Sequence, residues 1–242
     1  MDRKETEHNG QGSEQKKMGA LQLMVKTITS PGDAMAYISA NPTFIWPIII
    51  VALHQLILPI GRYTLFKDTL KETLVTSYQR YGQPVPTGQE LETLTSMSAN
   101  FALVLAPIMS AIYWLAIAFL VFILVKLFKG EGAFKQYLSI TGYAYVIVFI
   151  YYLLSLVISF STDQLYLDSS LANISNLFAP ELWGSYLYGI IRSLDLFTIW
   201  FFLVIGIGAN KAAKTEDNRG FIATAIVFVL YILVNAFGAR LM

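Results

Sequence analysis

Long apolar stretches dominate the pattern of hydrophobic and polar positions along this chain. A helix that crosses the hydrocarbon core of a membrane needs ~20 predominantly apolar residues. Five stretches approach or exceed that length: Phe44–Ile60, Phe101–Phe128, Leu138–Phe160, Leu187–Ala209 and Phe221–Leu241. Their apolarity is continuous rather than alternating, which indicates helices and not the strands of a barrel. The pattern therefore predicts an all-α integral membrane bundle of five transmembrane helices.

The polar stretches divide the rest of the chain. Residues 1–19 are polar, without the apolar core of a cleavable signal, and predict a disordered tail on the cytoplasmic side. Residues 20–42 predict short amphipathic helices at the membrane interface, and residues 43–242 form the transmembrane domain. That domain carries a polar outer insertion over residues 61–100, in which one helix is predicted over Tyr63–Tyr81.

Composition agrees with a membrane protein. The 242 residues are 55% hydrophobic and 14% charged, whereas soluble domains average about 25% charged residues. The net charge of +1 gives no global field that would attract a nucleic acid. Cysteine is absent, which excludes disulfides, thiolate zinc sites and a cysteine nucleophile.

The distribution of lysine and arginine predicts the orientation. Eleven of them lie on one side of the predicted membrane, either before the first stretch, between stretches two and three, or between stretches four and five. Five lie on the opposite side. Short cytoplasmic loops carry the excess of basic residues. We therefore predict a multi-pass protein of the cell membrane whose N-terminus is cytoplasmic and whose C-terminus is outside.

A helical stripe precedes the first stretch. Leu21, Met24, Val25 and Ile28 are spaced i, i+3, i+4 and i+7, and Lys26 lies beside them. A basic amphipathic helix next to a membrane span is typical of the cytoplasmic interface. Two roles remain open for it: a packing strut at the base of the bundle, or a docking element for a partner.

Polar side chains recur at one depth in the outer half of the predicted bundle. Asp195 lies inside the fourth stretch, roughly 12 Å below its outer end at 1.5 Å per residue, and Arg192 precedes it by three residues on the same predicted helical face. Each of the other stretches offers one polar group at a comparable depth: His54, Ser110, Ser155 and Asn235.

Two explanations compete for this layer. The six side chains could hydrogen-bond across helices and fix their register, which contributes ~0.6–2 kcal/mol per contact. Alternatively, they could line a hydrated pocket, open to the outside, in which Asp195 binds a proton, a cation or a polar head group.

Two other polar residues, Tyr143 and Tyr145, suit an aromatic belt at the membrane interface.

The sequence contains none of the common catalytic motifs. No phosphate-binding loop, HExxH motif or GxSxG motif is present. His54 has only His8, in the tail, as a second histidine, so no metal site is predicted. We expect neither a cofactor nor a catalytic residue.

Three short motifs, in this order, resemble the Yip (Ypt/Rab-interacting protein) family of five-span membrane proteins, in its prokaryotic branch. The first is the pre-span helix that starts at Ser30-Pro31, with Asn41-Pro42 behind it. The second is the turn Gly130–Tyr137, which continues into Thr141-Gly142-Tyr143-Ala144-Tyr145. The third is Asp195–Trp200, followed by Gly206. Gly142, Tyr143 and Trp200 are the marks carried over from the family.

The resemblance implies a compact helical bundle with a cytoplasmic N-terminus. It also implies a non-enzymatic protein that acts through a membrane or cytoplasmic protein partner, in membrane organisation or in support of an export system, and that could form a homo-oligomer. The alternative from the residues themselves is a transporter or channel that uses the polar pocket around Asp195.

Overall fold

A computed structural model gives the structure of the protein, and it describes residues 18–165, 170, 182, 185–215 and 217–241. The tail predicted over residues 1–19 lies, up to residue 17, outside the described residues. The helices are α1 (Ala20–Thr29), α2 (Pro31–Ala40), α3 (Ile45–Leu53), α4 (Ile57–Gly61), α5 (Tyr63–Arg80), α6 (Gly88–Leu127), α7 (Phe134–Thr162), α8 (Tyr186–Arg192), α9 (Leu196–Ala213) and α10 (Arg219–Leu241).

Four of these helices are long and apolar enough to cross a membrane: α6, α7, α9 and α10. A fifth crossing is present if α3 and α4 are taken together with α5 as one bent segment. The large apolar side chains that remain exposed are concentrated on the outward faces of these helices, where lipid takes the place of water. The prediction of an all-α membrane bundle is confirmed.

The first crossing is interrupted and then bends sharply. One 3₁₀ turn, His54–Leu56, separates α3 from α4, and Pro59 removes a backbone donor immediately after it. Helix α5 then leaves the axis of this segment at 90°. The structure therefore gives the first stretch the irregular backbone that a proline-containing span is expected to have.

The outer insertion is a helical hairpin. Helix α5 agrees with the helix predicted over Tyr63–Tyr81, and it packs against the start of α6. Helix α6 has 40 residues, a length of about 60 Å at 1.5 Å per residue, which is twice the ~30 Å hydrocarbon thickness. Its first residues therefore project beyond the membrane and pair with α5.

Helix α7 lies at the centre of the bundle. Its first half, from Tyr137 to Ile147, is buried almost continuously, because it contacts α2, α3, α6 and α9. Helix α2 packs into the same core through Met35 and Ile38, both fully buried. Gly208 of α9 permits this contact, since a β-carbon there would lie 2.9 Å from the Met35 sulfur.

Helix α1 buries a side that differs from the predicted stripe. Leu23 and Thr27 face the bundle, whereas Leu21 and Val25 are 74% and 51% exposed. Helices α1 and α2 therefore differ: α2 is a packing strut within the core, and α1 keeps an apolar face on the surface beside Lys26. That exposed face is the geometry of a helix at a membrane interface.

Candidate functional site: two polar clusters and a lysine-rich end

His54 and Ser110 form the first polar cluster. The Nε2 atom of His54 lies 3.3 Å from the Ser110 hydroxyl, and Nδ1 lies 3.3 Å from the carbonyl oxygen of Ile50. Since a carbonyl only accepts, Nδ1 carries the proton and Nε2 accepts from the serine hydroxyl. Both side chains are 2% exposed. Because a carbonyl, not a carboxylate, orients the imidazole, the pair matches a packed polar contact better than a hydrolytic dyad.

Tyrosine rings enclose this pair. The His54 ring lies 5.2 Å from that of Tyr145 and 5.3 Å from that of Tyr152. The prediction that Tyr145 and Tyr143 belong to an interfacial belt is wrong, because the two residues are only 6% and 1% exposed. Both point into the bundle from the buried half of α7, where helix–helix contacts replace the membrane surface as their environment.

The fourth predicted span is not continuous. Helix α8 ends at Arg192, and α9 begins at Leu196, so Leu187–Ala209 comprises two helices. Asp195 has extended backbone and caps α9: its Oδ1 accepts the backbone N–H groups of Phe197 and Thr198, each at 2.9 Å. A carboxylate that satisfies the free donors of a new helix favours this break over continued helix.

The break changes how Asp195 and Arg192 are placed. The two residues do not share one helical face, as the unbroken span predicted, because α8 ends at Arg192 and the backbone of Asp195 is extended. A single antiparallel bridge joins the backbone of Asp195 to that of Ser170. A segment of the chain preceding α8 thus reaches the interrupted span.

Tyr231 of α10 is the centre of the second polar cluster. Its hydroxyl lies near the side chains of Thr198 and Asn235, and the charged groups of Asp195 and Arg192 are close enough to influence it. The Asn235 amide also donates to the Tyr231 carbonyl at 2.8 Å. Arg192 and Asn235 are exposed, and Asp195 is half-buried. We call these five residues the Tyr231 cluster.

The predicted layer of six polar side chains is therefore divided. His54 and Ser110 lie together, and Asp195, Arg192 and Asn235 lie together around Tyr231. Ser155 belongs to neither group: its hydroxyl is buried and has no hydrogen-bond partner among the described residues. A chain of aromatic rings connects the two groups: Tyr145 packs on His54 and on Phe201, Phe201 packs on Phe202, and Phe202 packs on Tyr231.

Sequence analysis missed Tyr231, Thr198 and Tyr145 as members of these clusters. A signal for Tyr231 was available, because its position on α10 is one helical turn before Asn235. The search for polar side chains in the spans treated tyrosine as an aromatic residue, so the Tyr231 hydroxyl was not considered with the other polar groups. Among the described residues, no group of three or more His, Asp and Glu side chains could hold a metal ion.

The family marks build the junction between the first span and α7. A β-carbon at Gly142 would lie 2.4 Å from the Pro47 side chain and 3.0 Å from the Trp114 ring, so only glycine allows this approach. The Tyr143 hydroxyl lies 3.0 Å from that of Thr43. Trp200 packs, partly buried, on the main core. These residues hold helices together.

Hydrogen bonds join the α6–α7 turn to the α9–α10 turn at one end of the bundle. Arg219 donates to the Phe128 carbonyl at 2.7 Å, and the Glu131 N–H donates to the Ala213 carbonyl at 2.9 Å. The Tyr137 hydroxyl donates to the Glu131 carbonyl at 2.6 Å. We call the two joined turns the loop platform.

Exposed lysines surround the loop platform. They are Lys126, Lys129, Lys135, Lys211 and Lys214. Two of them, Lys129 and Lys214, have left-handed backbone with φ of 59° and 50°, a region in which glycine is usual. The only ion pair that a lysine of this group makes, among the described residues, joins Lys214 to Glu131 at 3.5 Å. The loop platform is therefore positively charged and accessible.

The opposite end of the bundle carries a cleft between α5 and α6. Its volume is about 230 Å³, and Tyr63, Lys67, Lys71, Glu92 and Thr95 contribute to its lining. Lys71 and Glu92 form an ion pair across the cleft. The hydrogen bond and charge of Lys71 lower the pKa of Glu92, and those of Glu92 raise the pKa of Lys71. The pair fastens the exposed hairpin outside the membrane.

Comparison with known proteins agrees with this architecture. Residues 25–238 match the Yip1 domain family. The chain is 27% identical over 220 residues to Membrane protein YknW of Bacillus subtilis (strain 168), an alignment that covers 87% of each of the two proteins. No solved structure matches. The match extends over most of the chain and confirms the resemblance carried by the three motifs: the chain belongs to the Yip1 domain family.

Proposed function

We propose that this protein is a non-enzymatic membrane protein that acts by binding a partner protein at its loop platform. The observation that carries the proposal is the bond between Arg219 and the Phe128 carbonyl, which fixes two turns surrounded by exposed lysines. Charges held on a rigid frame favour association with a complementary surface, because little ordering is needed on binding. The partner surface is therefore acidic.

We further propose that the loop platform faces the cytoplasm. Of the Lys and Arg residues, eleven belong to the N-terminal segment and to the two turns of this end, and five to the opposite side. The C-terminus then lies outside the cell membrane. We assign to the complex a role in membrane organisation or in support of an export system, which is consistent with a family that is not generally enzymatic.

A photo-crosslinking amino acid in the platform tests the proposal. Placed at position 211, it is expected to trap a protein partner in intact membranes. The double variant Lys129→Glu with Lys214→Glu should abolish the cross-link, because it reverses two charges while Arg219 keeps the turns joined. The matched control reverses two charges of the hairpin, the half-buried Lys67→Glu with the exposed Arg80→Glu, and should leave the cross-link intact. A cross-link that survives both double variants would contradict the proposal.

The interrupted fourth span favours a second candidate function, transport. Discontinuous helices that expose backbone and capping groups near the membrane midplane are the usual binding elements of secondary transporters. Asp195 at the start of α9 would then hold a proton or a cation with its free carboxylate oxygen. Flux across liposomes that is lost in Asp195→Asn, with folding retained, would support transport; flux that is absent from the parent protein as well would exclude it.

A further inference from the structure

Arg192 is a cation in the membrane region that makes no ion pair among the described residues. It ends α8 inside a long apolar stretch, it is exposed, and no carboxylate of the described residues lies within ion-pairing distance of it. Arg62, near the outer end of the first span, differs: it bonds to Asp163 at 2.7 Å and stacks on Phe160. Because an unpaired charge in hydrocarbon is unfavourable, Arg192 requires a partner from outside the described part of the chain.

The packing of α8 places Arg192 near the outer membrane surface. A β-carbon at Gly189 would lie 2.6 Å from the Ala236 α-carbon, so α8 is held directly against the last turns of α10. Asn235 precedes the end of α10 by six residues, or about 9 Å. A long arginine side chain at this depth extends its guanidinium toward the level of the lipid head groups.

The Arg192 guanidinium is a source of hydrogen-bond donors and positive charge at this surface. The guanidinium donates only, and Asn235, which shares the Tyr231 cluster, is exposed and keeps one amide N–H beyond the one that it donates to the Tyr231 carbonyl. The one acid of this cluster, Asp195, directs Oδ1 to two backbone N–H groups, which offset part of its negative charge, and it makes no ion pair with Arg192. Donors and positive charge together favour an anionic oxygen ligand such as a phosphate.

The neighbouring surface is apolar. Val234 and Phe237 flank Asn235 and are 66% and 62% exposed, and the Tyr186 ring packs at 5.5 Å on that of Phe237. A ligand at Arg192 would therefore have its polar end among donors and its remainder along exposed aliphatic and aromatic side chains. This combination matches an amphiphile with a charged head better than a free anion.

We propose that Arg192 and Asn235 bind the phosphate of an anionic phospholipid from the outer leaflet, with its acyl chain along Val234 and Phe237. The guanidinium pairs with the phosphate oxygens, and the lipid supplies the counter-charge that the described chain lacks. This site lies at the end of the bundle opposite the loop platform. It therefore does not depend on the partner-binding proposal, and either can fail without the other. The choice of the outer leaflet rests on the orientation proposed above, whereas lipid retention is measured without regard to that orientation.

Lipid retention tests the site. The full-length protein is reconstituted into vesicles of equal parts phosphatidylglycerol and phosphatidylcholine with the same acyl chains, extracted in mild detergent and analysed for bound lipid by native mass spectrometry. The parent protein should retain phosphatidylglycerol preferentially. Arg192→Gln should reduce that retention about tenfold to a hundredfold, the usual effect of losing a charged hydrogen bond. Arg192→Lys should keep most of it.

Control variants distinguish loss of the lipid site from a general effect of removing a charge or of misfolding. Arg80→Gln removes an exposed arginine of the outer hairpin and should leave retention unchanged. Asn235→Leu should lower retention and serves as the second variant if Arg192→Gln does not fold. Equal retention of the two lipids by the parent protein, or unchanged retention in both site variants, overturns the proposal. Displacement of bound lipid by millimolar inorganic phosphate would identify a free anion as the ligand and overturn it as well.

Discussion

The carboxylate of Asp195 accepts the backbone N–H of Thr198 at 2.9 Å, three residues into the helix that it caps. The same oxygen accepts the N–H of Phe197. This one side chain accounts for the start of α9 inside an apolar stretch, because it satisfies donors that would otherwise face lipid. The acid that the sequence singles out as a candidate ligand thus has a structural role that any functional role must accommodate.

Replacing Asp195 separates capping from charge. Asp195→Ala removes the cap and should destabilise the protein by about 0.5–2 kcal/mol. Asp195→Asn keeps an acceptor oxygen and should have nearly the parent stability. Thermal unfolding in detergent measures both. Equal loss of stability in the two variants would show that charge, rather than capping, is what the fold needs at this position.

Gly142 should tolerate no side chain. Gly142→Ala places a β-carbon 2.4 Å from the Pro47 side chain and should cost about 1–3 kcal/mol through overpacking. Gly32→Ala is the matched control, because the space around the Gly32 β-carbon position in α2 is open. That variant should be neutral or slightly stabilising, since alanine is the better helix former. A denaturant or thermal series on the two variants would refute the packing argument if their stabilities did not differ.

Arg219 should control the protection of the loop platform. Arg219→Gln removes the charged hydrogen bond to the Phe128 carbonyl and should increase hydrogen exchange at the Glu131 amide by about tenfold. A fully buried charged hydrogen bond would give a larger increase, but Arg219 is partly exposed. Lys211→Gln is exposed and should leave exchange at Glu131 as it is in the parent. If Arg219→Gln also leaves that amide protected, the two turns are held together by other contacts.

Lys71 should set the acidity of Glu92. Because the pKa of Glu92 is lowered in the folded protein, the ion pair stabilises the hairpin at neutral pH, and this contribution is lost as the pH falls through that lowered pKa. In Lys71→Met the pKa of Glu92 should rise toward its ordinary value, as carboxyl NMR shifts would report. Lys67→Met should produce a smaller rise, since the contribution of Lys67 is smaller. An unchanged pKa in Lys71→Met would show that the pair does not persist in solution.

Hydropathy alone predicts the helices α6, α7 and α10, because each is a long uncharged stretch whose backbone must be helical in lipid. The break before α9 could not be predicted in the same way. Hydropathy scores residues one at a time, whereas the break depends on whether the Asp195 side chain turns back to its own backbone. A mid-span aspartate two residues after a serine, as in Ser193-Leu194-Asp195, is compatible with either arrangement.

The candidate site was predictable only in part. The depth of polar residues along each helix identified His54 and Ser110, and these two side chains do lie together. It also identified Asp195 and Asn235, which lie near Tyr231. Depth contains no information on helix rotation, so it could not separate the two groups or show that the Ser155 hydroxyl bonds to neither. The loop platform depends on bonds between turns far apart in sequence, such as Arg219 with Phe128, which no local pattern encodes.

Accessibility of single cysteines tests the central claim, a chain that crosses the membrane five times with the loop platform in the cytoplasm. The protein contains no cysteine, so each introduced one is a unique label. Gln83→Cys in the outer hairpin should react with an impermeant maleimide in intact cells, and Gly19→Cys and Lys135→Cys only after permeabilisation. If Gly19→Cys is labelled from outside as well as Gln83→Cys, the bent first segment does not cross the membrane. If Lys135→Cys is labelled in intact cells, the loop platform lies outside, which contradicts the account.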